Sequence, residues 1–247
     1  MARAMNGTTD RLIATTPTDL TSNWSVAGWF RRNTTARSDS FWSRWTSAAA
    51  NRQLFIYTLV GDTIQVDVPF IAAIMTSAST VTDTAWHHVA VTRSGDNWVL
   101  YLDGVSDATA TNAAAQETGG NVELGCSTAF LGGTATDGDV AEWAGWTAVL
   151  DAAEVVALAK GVSPLLVRPS SLEMYWPLLG RTSPEVELMN GFTAALTGTA
   201  NATHLRMYYP DSGMLRRFTT AVAGGFVPYP FSRGAKGGML ALTGGMQ

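Results

Sequence analysis

Hydrolysis of a glycosidic bond needs two Asp or Glu side chains flanking the scissile bond, about 5 to 9 Å apart. The densest acidic group in this sequence is Asp137, Asp139 and Glu142. Its spacing is wrong for that chemistry, since on a strand the two Asp share one face and Glu142 takes the other. Glu185 and Glu187 share a parity but follow Pro184 in what reads as a loop. No catalytic residue is assigned to either group. His87 and His88 are adjacent, so a strand sends them to opposite sides and they cannot hold one metal ion together. The remaining His, His204, is remote in sequence, and all three read as structural. The single cysteine, Cys126, excludes an intramolecular disulfide and a multi-cysteine zinc site, and reads as a small buried hydrophobe. A G-x-S-x-G elbow and a phosphate loop are both absent from the sequence.

Binding chemistry has better candidates. Phe41-Trp42-Ser43-Arg44-Trp45 is aromatic on both faces of a strand, with Trp42 opposed to Phe41 and Trp45. One side packs and the other is at least partly exposed. Exposed Trp beside Arg is what sugar stacking and protein hot spots both use. Trp42, Arg44 and Trp45 are therefore the candidate glycan or partner contacts, with burial of both Trp in a core as the competing reading.

The elements that must position these residues are strands. Ala85 to Gly104 (AWHHVAVTRSGDNWVLYLDG) reads as a hairpin about the turn cluster Ser94-Gly95-Asp96-Asn97, with a further turn at Asp103-Gly104. Further strands are predicted at 24–31, 40–45, 53–59, 63–68, 121–125, 139–146 and 172–178. Short strands about ten residues apart, with turn signals between them, suggest a sandwich. One helix stands out. Asp151-Ala-Ala-Glu154 has capping-box spacing, Val155, Val156, Leu158 and Ala159 supply an apolar face, and Lys160-Gly161 closes it. In a β chain such a helix is expected as a lid on a sheet edge or rim.

Composition narrows the class further. Of 247 residues, 46% are hydrophobic and 15% charged, with nine Trp, nine Phe and six Tyr, too many for an unfolded chain. No apolar run reaches the roughly 18 to 20 residues of a membrane span, so no membrane insertion is expected. The net charge of −4 argues against nucleic acid as a partner of the body. Met1 to Leu12 lacks the apolar region of a secretory signal, and the four N-x-S/T sequons (Asn6, Asn23, Asn33, Asn201) read as composition. Charge also divides the chain: residues 1–203 sum to −8 and residues 204–247 to +4. The reading is therefore a body over 1–207 and a Gly- and aromatic-rich basic arm over 208–247. The arm's Tyr208, Tyr209, Phe226, Tyr229 and Phe231 are anchors, and Arg216, Arg217, Arg233 and Lys236 supply charge. A 40-residue segment cannot make its own core and must dock elsewhere.

Four stretches, in order, resemble the laminin-G-like branch of the concanavalin A-like lectin/glucanase superfamily. They are NWSVAGWF from Asn23, WHHVAVTRSGDNWVLYLDG from Trp86, the segment Phe130 to Glu154 with Gly138-Asp139-Val140, and LEMYWPLLG from Leu172. The likeness spans roughly residues 6–200. It implies an all-β, two-sheet antiparallel jelly roll that binds glycans or proteins, or hydrolyses glycans. The Glu-x-Asp-x-x-Glu string of the hydrolysing branch does not occur here. The resemblance also implies that a Ca²⁺ can sit at a rim on Asp side chains and carbonyls. Asp137 and Asp139 are the weak candidates for it, and ordinary Asp-Gly turn chemistry is the alternative. No other cofactor is expected. A lectin-like sandwich without an export signal is reconciled by a phage particle, assembled in the cytoplasm and released by lysis. The first reading is thus a non-enzymatic virion structural protein (capsid decoration, head fibre or tail-associated), partnered by its own copies, other virion proteins and surface glycans. A soluble carbohydrate-binding module is the second reading and a glycan hydrolase the third.

Overall fold

A computed structural model describes residues 2–15, 19–45, 52–68, 72–113, 119–126, 134–180 and 182–209. The chain divides into two compact units, Met1–Asp211 and Ser212–Gln247. The arm residues Arg216, Arg217, Phe226, Tyr229, Phe231, Arg233 and Lys236 lie outside the described residues, as does the side chain of Trp45.

Two eight-stranded antiparallel sheets face each other. Sheet A is built from β1 (Ala2–Asn6), β3 (Asn23–Arg32), β8 (Trp86–Ser94), β9 (Asn97–Leu102), β10 (Val105–Thr111), β12 (Asp137–Trp146), β13 (Leu172–Trp176) and β16 (Ala200–Ala202). Its order is β10-β9-β8-β3-β12-β1-β16, with β13 continuing along the edge of β12 that β1 leaves free. Sheet B holds β2 (Arg11–Ala14), β4 (Ser40–Trp45), β5 (Arg52–Thr58), β6 (Thr63–Val68), β7 (Ala72–Thr80), β11 (Val122–Leu124), β14 (Glu185–Val186) and β15 (Thr193–Thr197), in the order β14-β15-β2-β11-β4-β5-β6-β7. This is the jelly-roll sandwich expected from the sequence. All seven single strands and the hairpin fall within a few residues of their expected spans.

Alternation builds the core. Trp24, Val26 and Phe30 of β3 point inward beside Val89 and Val91 of β8, and meet Leu54, Ile56, Ile64 and Val66 from sheet B. At Gly28 the indole of Trp143 lies where a side chain would stand, 2.2 Å from an ideal Cβ, so only glycine fits. Opposite it, β12 carries a bulge at Glu142, whose φ is +55°. That extra residue corrects the simple parity count, because Glu142 projects to the outer face of sheet A beside Trp29 and His88.

The lateral edges of the two sheets are sewn together by polar groups. On one side the Asp107 carboxylate of β10 accepts the backbone N–H groups of Ala78 and Ser79 in β7. On the other, Arg3 of β1 pairs with Glu185 of β14 at 2.7 Å, both side chains buried. An inward-turned charge on an edge strand also blunts edge-to-edge association.

The single α-helix, α1 (Ala152–Ala159), has the expected capping box, with Asp151 and Glu154 each accepting the other's backbone N–H, and ends at Gly161 in the left-handed region. It packs on the outer face of sheet A, against β8, the edge strand β10 and the turn at Gly104, with Leu158 near Ala27, Trp29 and His88. That outer row is itself apolar and has to be covered. The chain after β16 completes the cover: Leu205 and Met207 pack against the cluster of Ala2, Trp29 and Ala141, and Tyr208 bridges to Val162. No helix among the described residues is long and apolar enough to cross a membrane.

Candidate functional site

The expected contact strand β4 turns inward. Trp42 is wholly buried, its ring 5.6 Å from Trp143 and 6.2 Å from Trp176 between the sheets. Phe41 is buried as well and stacks on Phe30 at 4.0 Å. The expected opposition of these neighbours fails because the β4–β5 register shifts between Ser40 and Trp42. A bulge there lets consecutive aromatics enter one core. Arg44 is 1% exposed and donates to Asp19 at 2.6 Å; burial lowers its pKa to about 10. Trp42 and Arg44 are therefore corrected from surface contacts to packing groups.

Carboxylates that could have carried chemistry are also engaged. Glu142 takes the hydroxyls of Tyr175 and Tyr209, and His204 Nε2 lies 2.7 Å from it. Burial, then the charge of Glu142, pushes both phenols up. The cavity beside it, lined by Trp29, His88 and Leu158 among others, has a volume of about 10 Å³. A space of that size admits about one water and no sugar. Tyr208 and Tyr209, read as arm residues, are thus bonded to the body. His88 is buried neutral, desolvation lowering its pKa to about 4, while His87 emerges at the rim between Asp103 and Asp83. The two rings do face opposite ways. Glu185 accepts from Arg3 and the Gly180 N–H, and Glu187 accepts the backbone N–H groups of Tyr175, Met189 and Asn190. Both are structural acceptors.

Asp137 and Asp139 open β12. Asp139 pairs with Arg31, and burial still raises its pKa. Asp137 accepts from Asn33 Nδ2 at 3.0 Å and Thr34 Oγ1 at 2.6 Å, with Arg37 3.4 Å away. Among the described residues no group of three His, Cys, Asp or Glu side chains is placed to hold a metal ion.

What is left is the outer face of sheet B. Alternation against core residues Ile56, Ile64, Val66 and Met75 places Tyr57, Gln65, Asp67 and Thr76 on it. Cross-strand pairs Phe55↔Asp67, Tyr57↔Gln65 and Gln65↔Thr76 bring them into one strip. Phe55 stacks on Tyr57 at 4.3 Å, and the Tyr57 hydroxyl donates to Asp67 at 2.8 Å. Gln65 donates to the other Asp67 oxygen at 2.7 Å and accepts from Thr76. Burial and Asp67 together raise the Tyr57 phenol above its usual range, so it stays a donor. Phe55 and Gln65 are buried, Tyr57 and Asp67 half-buried and Thr76 exposed. Toward the opposite edge of the same sheet, Ile13, Thr15, Ser183, Pro184, Thr193 and Ala195 line an open groove of about 360 Å³. A rigid aromatic ring backed by a carboxylate and an amide is the equipment for holding a polyhydroxylated ring, with apolar C–H faces stacking and hydroxyls bonding. Sequence reasoning placed strands β5 and β6 but passed over this strip. Its signal was the shared parity of Phe55 and Tyr57, and of Gln65 and Asp67.

Known structures share this architecture. A proposed carbohydrate-binding protein of Bacteroides ovatus superposes with TM-score 0.63 at 13% identity, over 81% of this chain and 59% of that one. This chain therefore spans less than two thirds of that protein. The heptameric SAP-like pentraxin of Limulus polyphemus gives 0.51 at 16% identity, over 64% and 81%. The CBM40 of the Ruminococcus gnavus IT-sialidase, solved with α2,3-sialyllactose, gives 0.50 at 12%, over 64% and 98%. At such identities the likeness is one of fold. No curated protein matches the sequence. Residues 6–156, which run from the end of β1 into α1, match the laminin-G-like family profile described as the concanavalin A-like lectin/glucanases superfamily, and the chain belongs to that superfamily.

Proposed function

We propose that this chain is a non-enzymatic, lectin-like module that binds glycans on the outer face of sheet B, at the Tyr57–Asp67–Gln65–Thr76 strip. The observation that carries the reading is the hydrogen-bonded strip itself, in which Tyr57 and Asp67 are half-buried and Thr76 is exposed. Helix α1 and residues 203–209 close the face of sheet A, whereas the strip on sheet B presents an aromatic ring and bonded polar groups. Two structural relatives named for carbohydrate binding support the ligand class. The carboxylates of Glu142, Glu185 and Glu187 are committed to internal partners, which supports the absence of hydrolysis.

A glycan array tests it. Hits are expected, and Tyr57→Ala or Asp67→Ala should weaken them roughly ten- to hundred-fold, the loss of about 1 to 3 kcal/mol at a central contact. A blank array, or hits indifferent to both substitutions, refutes the site. Release of reducing ends from a polysaccharide panel refutes the non-enzymatic reading.

The charge asymmetry of the sequence favours a second layer to this role. A body of net −8 followed by a segment of net +4 suits a module displayed on a particle, with its basic end toward neighbouring subunits. In this reading the sandwich is a virion structural protein facing outward. Cryo-electron microscopy of the assembled particle, with and without residues 210–247, decides it. Truncated chains that still decorate the particle refute attachment through the arm.

A further inference from the structure

The family resemblance implies a Ca²⁺ at a rim, and one rim of this sandwich does gather the oxygen atoms that such a hard cation takes. Three carboxylates and four backbone carbonyls point at a common region between β3, the 33–39 turn and the start of β12. Each of these groups already meets a guanidinium. Arg32, with no exposed side-chain surface, donates Nε to Asp39 Oδ2 at 2.8 Å and Nη1 to Asp62 Oδ1 at 2.7 Å. Its Nη1 also reaches the Val81 carbonyl at 3.1 Å, and Nη2 the Arg37 carbonyl at 2.9 Å.

Arg37 fills the rest. Its Nη2 donates to the carbonyls of Ala135 at 2.6 Å and Gly7 at 3.1 Å. Its Nε lies 3.0 Å from Asp39 Oδ1, and its Nη1 lies 3.4 Å from Asp137 Oδ2. What acceptor capacity remains is taken by neutral donors: Asn33 and Thr34 on Asp137, the Asp137 N–H on Asp39, and the Ala36 N–H on Asp62. The residues do not fit a divalent ion. A cation placed among these oxygens would stand against two guanidinium groups that cannot lose their charge at any working pH.

We infer that Arg32 and Arg37 stand in for a metal ion at this rim, so that the sandwich folds and holds its loops without Ca²⁺. Both kinds of cation solve the same problem, which is to offset carboxylates such as Asp39, fully buried with its side chain 0% exposed. An Arg fork does so with fixed geometry and with the charge carried by the chain. The loops joined in this way come from distant parts of the sequence, Gly7, Arg37, Asp62, Val81 and Ala135 among them.

The test is thermal unfolding of the full chain in millimolar Ca²⁺ and in excess EDTA, with Tb³⁺ luminescence sensitised by Trp as a second readout. For the unsubstituted chain Tm should agree within about 1 °C between the two conditions, because a ligand that does not bind the native state cannot raise it. No sensitised Tb³⁺ signal should appear. Arg37→Met bares Asp137 and one oxygen of Asp39. That chain should melt lower, gain several degrees in Ca²⁺ and acquire the Tb³⁺ signal, whereas Arg37→Lys should stay indifferent to Ca²⁺. An unsubstituted chain stabilised by Ca²⁺ overturns the inference, as does a folded Arg37→Met that ignores it. Should Arg37→Met fail to fold in EDTA, recovery of the fold in Ca²⁺ supports the inference, and failure in both leaves the unsubstituted titration to decide it.

Discussion

Trp42→Ala separates the two roles that the β4 aromatics could have. If Trp42 stacked on a ligand at the surface, its loss would weaken binding and spare the fold. The structure instead buries it completely between Trp143 and Trp176. Truncating a buried Trp costs about 3 to 5 kcal/mol, through lost transfer free energy and the cavity that remains. One term offsets part of this. Trp42 Nε1 has no hydrogen-bond partner among the described residues, and an unpaired buried donor is a penalty of about 1 to 3 kcal/mol that truncation removes. The expected loss is therefore near the lower end, about 3 kcal/mol. For a domain of this size that lowers Tm by about 6 to 12 °C. Trp42→Phe keeps most of the apolar volume and also removes the unpaired donor, so it should cost less than about 1.5 kcal/mol. Urea unfolding followed by far-UV circular dichroism measures both. A Trp42→Ala loss below about 1 kcal/mol, the size of an ordinary surface change, would sink the core assignment. A Trp42→Phe variant as unstable as Trp42→Ala would show that the indole N–H does have a partner.

Two further perturbations read the rim and the edge. The hydrogen bond that the His87 ring donates to Asp103, and then that to Asp83, raises the pKa of His87 against its partial burial. Its contribution to stability is complete below the unfolded value of about 6.5 and is lost as pH rises through the folded value. Urea midpoints should therefore decline as pH rises above about 6.5, and Asp103→Asn should flatten that decline; a slope unchanged by the substitution refutes the assignment to His87. At the sewn edge, Arg3→Ala strands the buried Glu185 carboxylate and should cost about 3 to 5 kcal/mol, while Arg3→Met combined with Glu185→Leu should cost far less. A double-mutant cycle with no coupling would mean that the pair does not tie β1 to β14.

Much of the architecture was legible because its signals are local. The hairpin between β8 and β9 announces itself through Gly95-Asp96, and α1 through the reciprocal bonds of Asp151 and Glu154. Strands without turn residues at both ends, or with small and polar sequences, were not found. β10 (VSDATAT) and β7 exist because neighbours supply a ladder and because Asp107 ties one to the other. Faces were misjudged wherever a bulge intervened. Period-2 counting fails at Phe41-Trp42 and again at Glu142, since one inserted residue shifts every later side chain by one face. Nothing in the local sequence marks Glu142 as the residue that would adopt a positive φ.

The proposed binding face was missed for a different reason: alternation tells which residues share a side, but not what covers that side. The information was nonetheless present in the composition of the outward rows. On sheet A the outward face of β3, β8 and β12 holds an apolar patch, Ala27, Trp29, Ala90 and Ala141, beside His88 and Glu142, and such a patch demands a cover. The cover is α1 and residues 203–209, which brings Leu158, Leu205 and Met207 onto it. On sheet B the outward row of β5, β6 and β7 is mixed, with Phe55 and Gln65 buried, Tyr57 and Asp67 half-buried and Thr76 exposed, and its polar groups bond to one another. The apolar outer row of sheet A takes the helix and the strap that follows β16, and the mixed row of sheet B carries the proposed glycan contacts. The aromatic proposed for binding is then Tyr57, whose hydroxyl is paired with a carboxylate, rather than the densest Trp cluster in the sequence. That cluster is dense because it fills the core.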